Sequence, residues 1–249
     1  MSNLLRGQLA FITGAGGGIG RAVCRALAKE GADIIAADEN IRTAKETISD
    51  LTSSNHLPIQ IDVSNAASVD DALKKVVGHF SRAPTIVVNA AGITRDNFLL
   101  KLPVEDFEKV IDVNLKGTFL VTKACVNSMI EGNVSRGGSV VNIASIVGKT
   151  GNIGQSNYCA SKAGVEAFTK TASMEFGKFG VRVNAVLPGI IETAMIETIP
   201  SEVKQMFKSK IALGRMGKPE EVAELVLFLA SPQSSYINGA SVEITGGMH

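Results

Sequence analysis

The stretch from Gln8 to Lys29 constrains this fold more than any other. QLAFIT is a short apolar run ending in the β-branched residues Ile12 and Thr13, and it reads as a buried strand. It runs into TGAGGGIG, Thr13 to Gly20, and then into a helical pattern from about Ile19 to Lys29, with Gly31 as its C-terminal stop. A strand, a glycine turn and a helix in that order make an anion site. Gly14, Gly17, Gly18 and Gly20 let the backbone approach a pyrophosphate, which then lies on the helix N-terminus where free N–H groups and the dipole favour it. Ile19 sits between the last two glycines, and the spacing is GxxxGxG rather than GxGxxG.

The rest of the chain repeats the alternation. Ala32 to Ala37 reads as a second strand ending in Asp38. A carboxylate there accepts hydrogen bonds from an adenosine ribose and repels a 2′-phosphate, which favours NAD(H) over NADP(H). The competing reading is a surface Asp capping the helix Asn40 to Leu51. Leu57–Ile61 is a third strand, closed by Asp62 and Val63, and Ser64 is expected to cap a helix from about Ala66 to Phe80. Thr85–Val88 runs into Asn89, Ala90, Ala91 and Gly92, small residues that let a ligand lie against a strand end. A long helix from Pro103 to about Glu131 carries Asn114 in its middle. Val181–Leu187 is a sixth strand ending in Pro188 and Gly189, and a last helix (Pro219 to about Ala230) and strand (Ser241–Thr245) close the chain. Residues 189–216 break the rhythm. Ile190, Ile191, Met195, Ile196, Ile199, Met206, Phe207 and Ile211 follow no strand pattern, and the segment reads as a lid over an apolar substrate. The expected architecture is α/β: one doubly wound Rossmann-type domain over residues 1–249, with a seven-stranded parallel sheet and helices on both faces.

The fifth strand and its helix hold the densest chemistry. In GSVVNIASIVGKTGNIGQSNYCASKAG, Val140 to Ala144 form the strand, Ser145 stands at its end, and a glycine-containing loop leads to a helix starting near Ser156. Tyr158 and Lys162 lie one turn apart on that helix, on one face. An ammonium beside a phenol favours the phenolate and lowers its pKa, so such a Tyr can exchange a proton with a substrate oxygen that Ser145 holds. Tyr and Lys at this spacing are common on helices, and the glycine turn is what gives the pair its meaning. Further along, Val165, Phe168, Ala172 and Phe176 form a stripe that covers either the chain's own sheet or a second subunit.

Charge and composition exclude several classes. The 249 residues carry 25 basic and 24 acidic side chains, a net charge of +1, so there is no electrostatic case for nucleic acid or an anionic membrane. No apolar run approaches the ~18 residues of a spanning helix, and the first strand begins too early to leave room for a signal peptide. Three scattered cysteines without a CxxC argue against disulfides or zinc and for a reducing compartment, and three scattered histidines give no metal cluster.

Thr13-Gly14-x-x-x-Gly18-x-Gly20, Asn89-Ala90-Ala91-Gly92, Asn114, Ser145, Tyr158-x-x-x-Lys162 and Pro188-Gly189 together resemble the short-chain dehydrogenase/reductase family, over nearly the whole chain. Within it, ITRDNFLL, VNLKGTFLVTKA, GNIGQSNY and YINGASVEITGGM are similar to 3-oxoacyl-[acyl-carrier-protein] reductases, and SIVGK to their animal relatives, the 17-beta-hydroxysteroid dehydrogenases of type 8. The resemblance implies Tyr158 as general acid/base, Lys162 as its pKa modifier and ribose ligand, Ser145 as the group orienting the carbonyl, and Asn114 as the holder of a water linking Lys162 to solvent. It implies Asp62 and Val63 beside the adenine, Asn89, Ala90 and Gly92 on the ribose side, and Pro188, Ile191 and Thr193 toward the nicotinamide. Implied substrates are acyl thioesters or steroids. Implied assemblies are a homotetramer or a heterotetramer with a related reductase, in the mitochondrial matrix or alternatively the cytoplasm. A purely structural nucleotide-binding subunit is the competing reading, against which all of Ser145, Tyr158 and Lys162 are present.

Overall fold

Seven strands pair in parallel: β1 (Leu9–Thr13), β2 (Asp33–Asp38), β3 (Leu57–Gln60), β4 (Ile86–Asn89), β5 (Ser139–Ile143), β6 (Arg182–Pro188) and β7 (Ser241–Ile244). Their order across the sheet is β3-β2-β1-β4-β5-β6-β7. The structure is a computed structural model and describes residues 3–52, 55–193 and 201–248. Helices lie on both faces, as right-handed crossovers between parallel strands require. Packed over one face are α1 (Gly18–Lys29), α2 (Ile41–Ser49) and α9 (Pro219–Ala230). Over the other are α3 (Ala66–Phe80), α5 (Gly117–Glu131) and α7 (Ser156–Gly177).

The alternation of side chains along a strand divides the core. On β1, Ala10 and Ile12 meet Val23 and Leu27 of α1 and Val226 of α9. Leu9 and Phe11 point the other way, toward Val76 of α3 and Val121 and Met129 of α5. Burying each such Leu, Ile or Phe is worth ~1.5–3 kcal/mol, which outweighs the modest helix propensity of the surrounding β-branched residues. The stripe Val165, Phe168, Ala172 and Phe176 packs inward on this subunit's own sheet.

A polar seam runs through this apolar interior. Asn89 Nδ2 on β4 donates to Thr122 Oγ1 of α5 at 2.9 Å and to Asn142 Oδ1 of β5 at 2.8 Å. Asn142 Nδ2 donates in turn to Thr169 Oγ1 of α7 at 2.9 Å. These bonds pin two helices to the central strands in one register, because any slip would leave buried amides unpaired.

Several local expectations change. The long central helix is interrupted: α4 (Val104–Ile111) leads into a π-helical turn, Asp112–Lys116, before α5. Local and tertiary contacts meet there. The Thr118 hydroxyl donates to the Asn114 carbonyl one turn back at 2.7 Å, the Asn114 side chain bonds Ile93 and Ser161, and Gly117 lies so close to Val63 that a Cβ there would stand 2.8 Å from its methyl. The helix expected over Ala66 to Phe80 has those bounds, but its cap is Asn65 rather than Ser64: Asn65 Oδ1 accepts from Ser68 N, while Ser64 hydrogen-bonds Asp62. The loop after Ser145 holds a short helix, α6 (Val147–Thr150), because Gly148 fits against the α7 backbone. The expected lid contains α8 (Ser201–Ser209), and Met195, Ile196 and Ile199 lie outside the described residues.

His56, just before β3, extends the sheet with its side chain. Its Nδ1 accepts from Ile34 N at 3.0 Å, which requires the neutral ring, and its buried Nε2 has no partner. Burial holds the imidazole below its usual pKa, with Asp33 pulling weakly the other way. The folded state therefore resists the proton that the unfolded chain accepts, and stability falls as pH drops through and below about 6.5. His56→Asn keeps an acceptor without titrating. Its urea midpoint is expected to fall less than that of the unaltered protein between about pH 7.5 and pH 5.5.

Candidate active site

Strand order reverses where β4 lies beside β1, and a crevice opens at the carboxyl ends of these strands. The glycine turn lines it. The Thr13 hydroxyl accepts from Ala90 N at 3.1 Å and Ala91 N at 3.2 Å, tying the end of β1 to the segment after β4. Gly14 has φ +63°, and a Cβ there would come within 2.8 Å of the Ala90 carbonyl. A Cβ at Gly20 would collide with the Gly14 carbonyl. Gly17 caps α1 without any side-chain group, so the first-turn N–H groups are left to a ligand. Ile19 packs into the core beneath. This cradle, closed to side chains and open to an anion, fits the pyrophosphate of a dinucleotide.

The other expected residues gather round the same crevice. Asp38 Oδ2 accepts from Gly16 N at 2.9 Å. Asp62 Oδ1 accepts from Ser64 N and Oγ, and the Ser64 hydroxyl holds its carboxyl below the usual range. Val63 is buried against Gly117. The position of a Gly92 Cβ lies 3.4 Å from both Asn114 Oδ1 and Lys162 Nζ, so that backbone passes directly over them. The Pro188 carbonyl accepts from Ile146 N at 3.0 Å, and Ile191 forms an isolated bridge with Gly217. Thr193 returns to the cradle, with its methyl 2.8 Å from where a Gly18 Cβ would stand.

Ser145, just beyond β5, hydrogen-bonds the Tyr158 phenol. Lys162, 4% exposed, donates from Nζ to the Ile143 carbonyl at 2.7 Å and lies 5.6 Å from the centre of the Tyr158 ring. Asn114 is fully engaged: Oδ1 accepts from Ile93 N at 2.8 Å, and Nδ2 donates to Ile93 O and Ser161 Oγ, each at 3.0 Å.

A family model described as enoyl-(acyl carrier protein) reductase matches residues 14–249. The human (3R)-3-hydroxyacyl-CoA dehydrogenase is 48% identical over 257 residues, covering 100% of this chain and 98% of that protein. The chain is a short-chain dehydrogenase/reductase. The 3-oxoacyl-[acyl-carrier-protein] reductase of Thermotoga maritima is 45% identical, with 98% of each chain covered. A solved short-chain type dehydrogenase/reductase from Mycobacterium marinum superposes with a TM-score of 0.91 at 36% identity, covering 99% of this chain and 97% of that one. Both relatives are named as oxidoreductases, and this short-chain dehydrogenase/reductase is one too.

One expectation about its site is corrected, and the geometry adds detail to two others. The Asn89 side chain turns into the core seam, so its backbone is what lines the crevice. The Asn114 side chain bonds Ile93 and Ser161, and its carbonyl accepts from Thr118 with a second lone pair to spare. The Tyr158 pKa moves opposite to the expectation: burial pushes it up to about 12, Ser145 opposes, and Asp96 adds a smaller push upward. Lys162 does not reverse this because its Nζ points to Ile143, and burial makes its own charge costly.

Several supporting residues escaped the sequence reading. Buried Ser161 donates to the Tyr158 carbonyl at 2.7 Å and accepts from Asn114, so it joins the π-turn to α7. Gln155 donates to Asp96 Oδ2 at 2.8 Å, and Asn97 N to the Gly154 carbonyl at 2.8 Å, clasping two loops beside Tyr158. Ser161 directly before Lys162 was the one visible signal. The clasp joins segments too distant in sequence to be paired by spacing.

Burial lowers Lys162 from 10.5 to about 8. Between those values the unfolded chain holds a proton that the folded chain has shed, so this group makes stability rise with pH across that window. In Lys162→Met the term vanishes. The variant's stability relative to the unaltered protein is expected to be greatest at or below about pH 8 and to shrink by about pH 10, as read from urea midpoints.

Proposed function

We propose that this short-chain dehydrogenase/reductase interconverts 3-oxoacyl and 3-hydroxyacyl thioesters, with NAD(H) preferred over NADP(H). One observation carries the reading: the Ser145 hydroxyl is bonded to the Tyr158 phenol at the mouth of a glycine cradle, with Lys162 buried behind. The names of the human and Thermotoga relatives, a 3-hydroxyacyl-CoA dehydrogenase and a 3-oxoacyl-[acyl-carrier-protein] reductase, support the substrate class. A bound nicotinamide dinucleotide would supply or accept the hydride. Gly14, Gly17, Gly18 and Gly20 would hold its pyrophosphate, and Asp38 the adenosine ribose.

The remaining chemistry belongs to the chain. Ser145 orients the 3-oxo group, and Tyr158 gives its phenolic proton to that oxygen as it becomes an alkoxide. A phenol kept protonated by burial is poised for this reductive direction. Oxidation of the alcohol requires the same phenol to lose its proton, which burial opposes and the Ser145 hydroxyl favours. The 189–216 segment covers the acyl chain as a lid. Exposed Phe107, Phe119 and Met174 on α4, α5 and α7, together with the open edge of β7, support a homotetramer or a mixed tetramer with a related reductase. The resemblance to the type 8 animal enzymes supports a mitochondrial matrix setting. No described helix is long and apolar enough to cross a membrane.

Steady-state assays with acetoacetyl-CoA and with estradiol, each with both cofactors, test the reading. Turnover is expected with the thioester and NADH, and estradiol turnover alone would overturn the substrate class. Tyr158→Phe keeps the ring but removes the acid. Turnover is expected to fall by ~10²- to 10⁴-fold while NADH affinity holds. Light scattering on the pure chain is expected to give about four times the 26.1 kDa subunit mass, and a mass near 26.1 kDa would exclude self-assembly.

A further inference from the structure

The glycine turn is braced from α2, a contact no dinucleotide motif requires. Asp38 is held from three sides: Oδ2 by Gly16 N at 2.9 Å, and Oδ1 by Asn40 N at 3.0 Å and Thr43 Oγ1 at 3.3 Å. The single proton of the Thr43 hydroxyl is shared between Asp38 Oδ1 and the Asn40 carbonyl, which lies 2.8 Å away. Its side chain fills the space over Gly16, where an added Cβ would collide with it and stand 3.1 Å from Asp38 Oδ2. One turn on, buried Thr47 donates to the Ala15 carbonyl at 2.9 Å and accepts from Arg21 Nε at 3.2 Å. Ala15 is thus bonded to α2 through Thr47, and Gly16 is bonded to Asp38 at the end of β2 with the Thr43 side chain packed over it.

This bracing bears on which ribose the site accepts. A carboxylate accepts about four hydrogen bonds, and the chain supplies Asp38 with two from backbone N–H groups and a share of the Thr43 hydroxyl's. What remains for a ligand is narrow in direction and suits a hydroxyl donor. A 2′-phosphate brings only acceptors and negative charge to that point. It would also need room beside Gly16, which Thr43 occupies. The first cation after Asp38 is Arg42, and it is turned away, with Nη1 2.7 Å from Glu46 Oε1.

We propose that Thr43 is a second determinant of dinucleotide choice, a positioning residue that aims the Asp38 carboxylate and closes the space beside Gly16. The inference rests on the proposed NAD(H) preference and extends it to a residue that touches Asp38 and the backbone around it. The two functions of the side chain are separable. Thr43→Val keeps the bulk and removes the hydroxyl, Thr43→Ser keeps the hydroxyl, and Thr43→Ala removes both.

Calorimetric titration of the full chain with NAD⁺ and with NADP⁺, alongside melting temperatures, tests the proposal by binding alone. In Thr43→Val, NAD⁺ affinity is expected to fall by about three- to tenfold, the worth of one ordinary hydrogen bond, with NADP⁺ affinity unchanged. Thr43→Ser is expected to bind NAD⁺ within about twofold of the unaltered protein. Thr43→Ala is expected to narrow the NAD⁺ preference at least as far as Thr43→Val. Equal losses for both dinucleotides, or a Val variant that binds NAD⁺ as the unaltered protein does, would overturn the role of Thr43. If the unaltered protein binds NADP⁺ as tightly as NAD⁺, the preference attributed to Asp38 fails first, and the proposal falls with it.

Discussion

Two stretches of main chain lie in contact with no side chain between them, and the rest of the site depends on this. Gly14 rests against Ala90 and Ala91, and Gly20 against the carbonyl of Gly14. The first contact sets how closely β1 and the segment after β4 approach. The second sets where α1 begins. Together they place a helix N-terminus at the sheet's switch point, where an anion can be held by backbone alone. The Thr13 hydroxyl, accepting from two successive N–H groups, satisfies donors that this approach would otherwise leave buried and unpaired.

The catalytic side of the crevice follows a different rule, in which burial dominates over charge. Lys162 sits deep with a main-chain carbonyl as its acceptor, and Tyr158 sits above it with Ser145 at its hydroxyl. Each ionisable group is pushed toward its neutral form by the loss of water, the lysine downward and the tyrosine upward. The pair is thereby driven apart in proton affinity, the phenol up to about 12 and the ammonium down to about 8, so the phenol holds its proton until a substrate oxygen takes it.

Which features were legible in the sequence follows from how far apart their causes lie. Strands β1, β2 and β4 to β6 are short apolar runs, and each boundary is marked locally by Gly, Asp, Asn or Pro, so strand order in the chain and the ligand end of the sheet could be read directly. Tyr158 and Lys162 could be paired because one helix fixes their spacing. The orientation of Asn89 and the direction of the Tyr158 shift could not, since both are decided by partners from other elements: Thr122 and Asn142 for the first, enclosure by several segments for the second. The choice of Asn65 over Ser64 as a cap turned on Asp62, which engages the serine first. The bracing of Ala15 and Gly16 by Thr47 and Thr43 was likewise invisible, because α2 reads simply as an amphipathic helix.

The π-turn at Asp112–Lys116 carries a consequence for how this chain can vary. A single extra residue in one turn shifts the phase of the helix, so α4 and α5 present faces offset by about 100° from those of an unbroken helix. Shortening the turn by one residue would restore the regular ladder and swing α4 round. Asn114 would then leave Ile93 and Ser161, and the Thr118 hydroxyl would lose the carbonyl it now meets. Length is part of what this segment encodes. A one-residue deletion here acts as a rotation of half the helix, felt as far away as the backbone of Tyr158, which Ser161 joins to it.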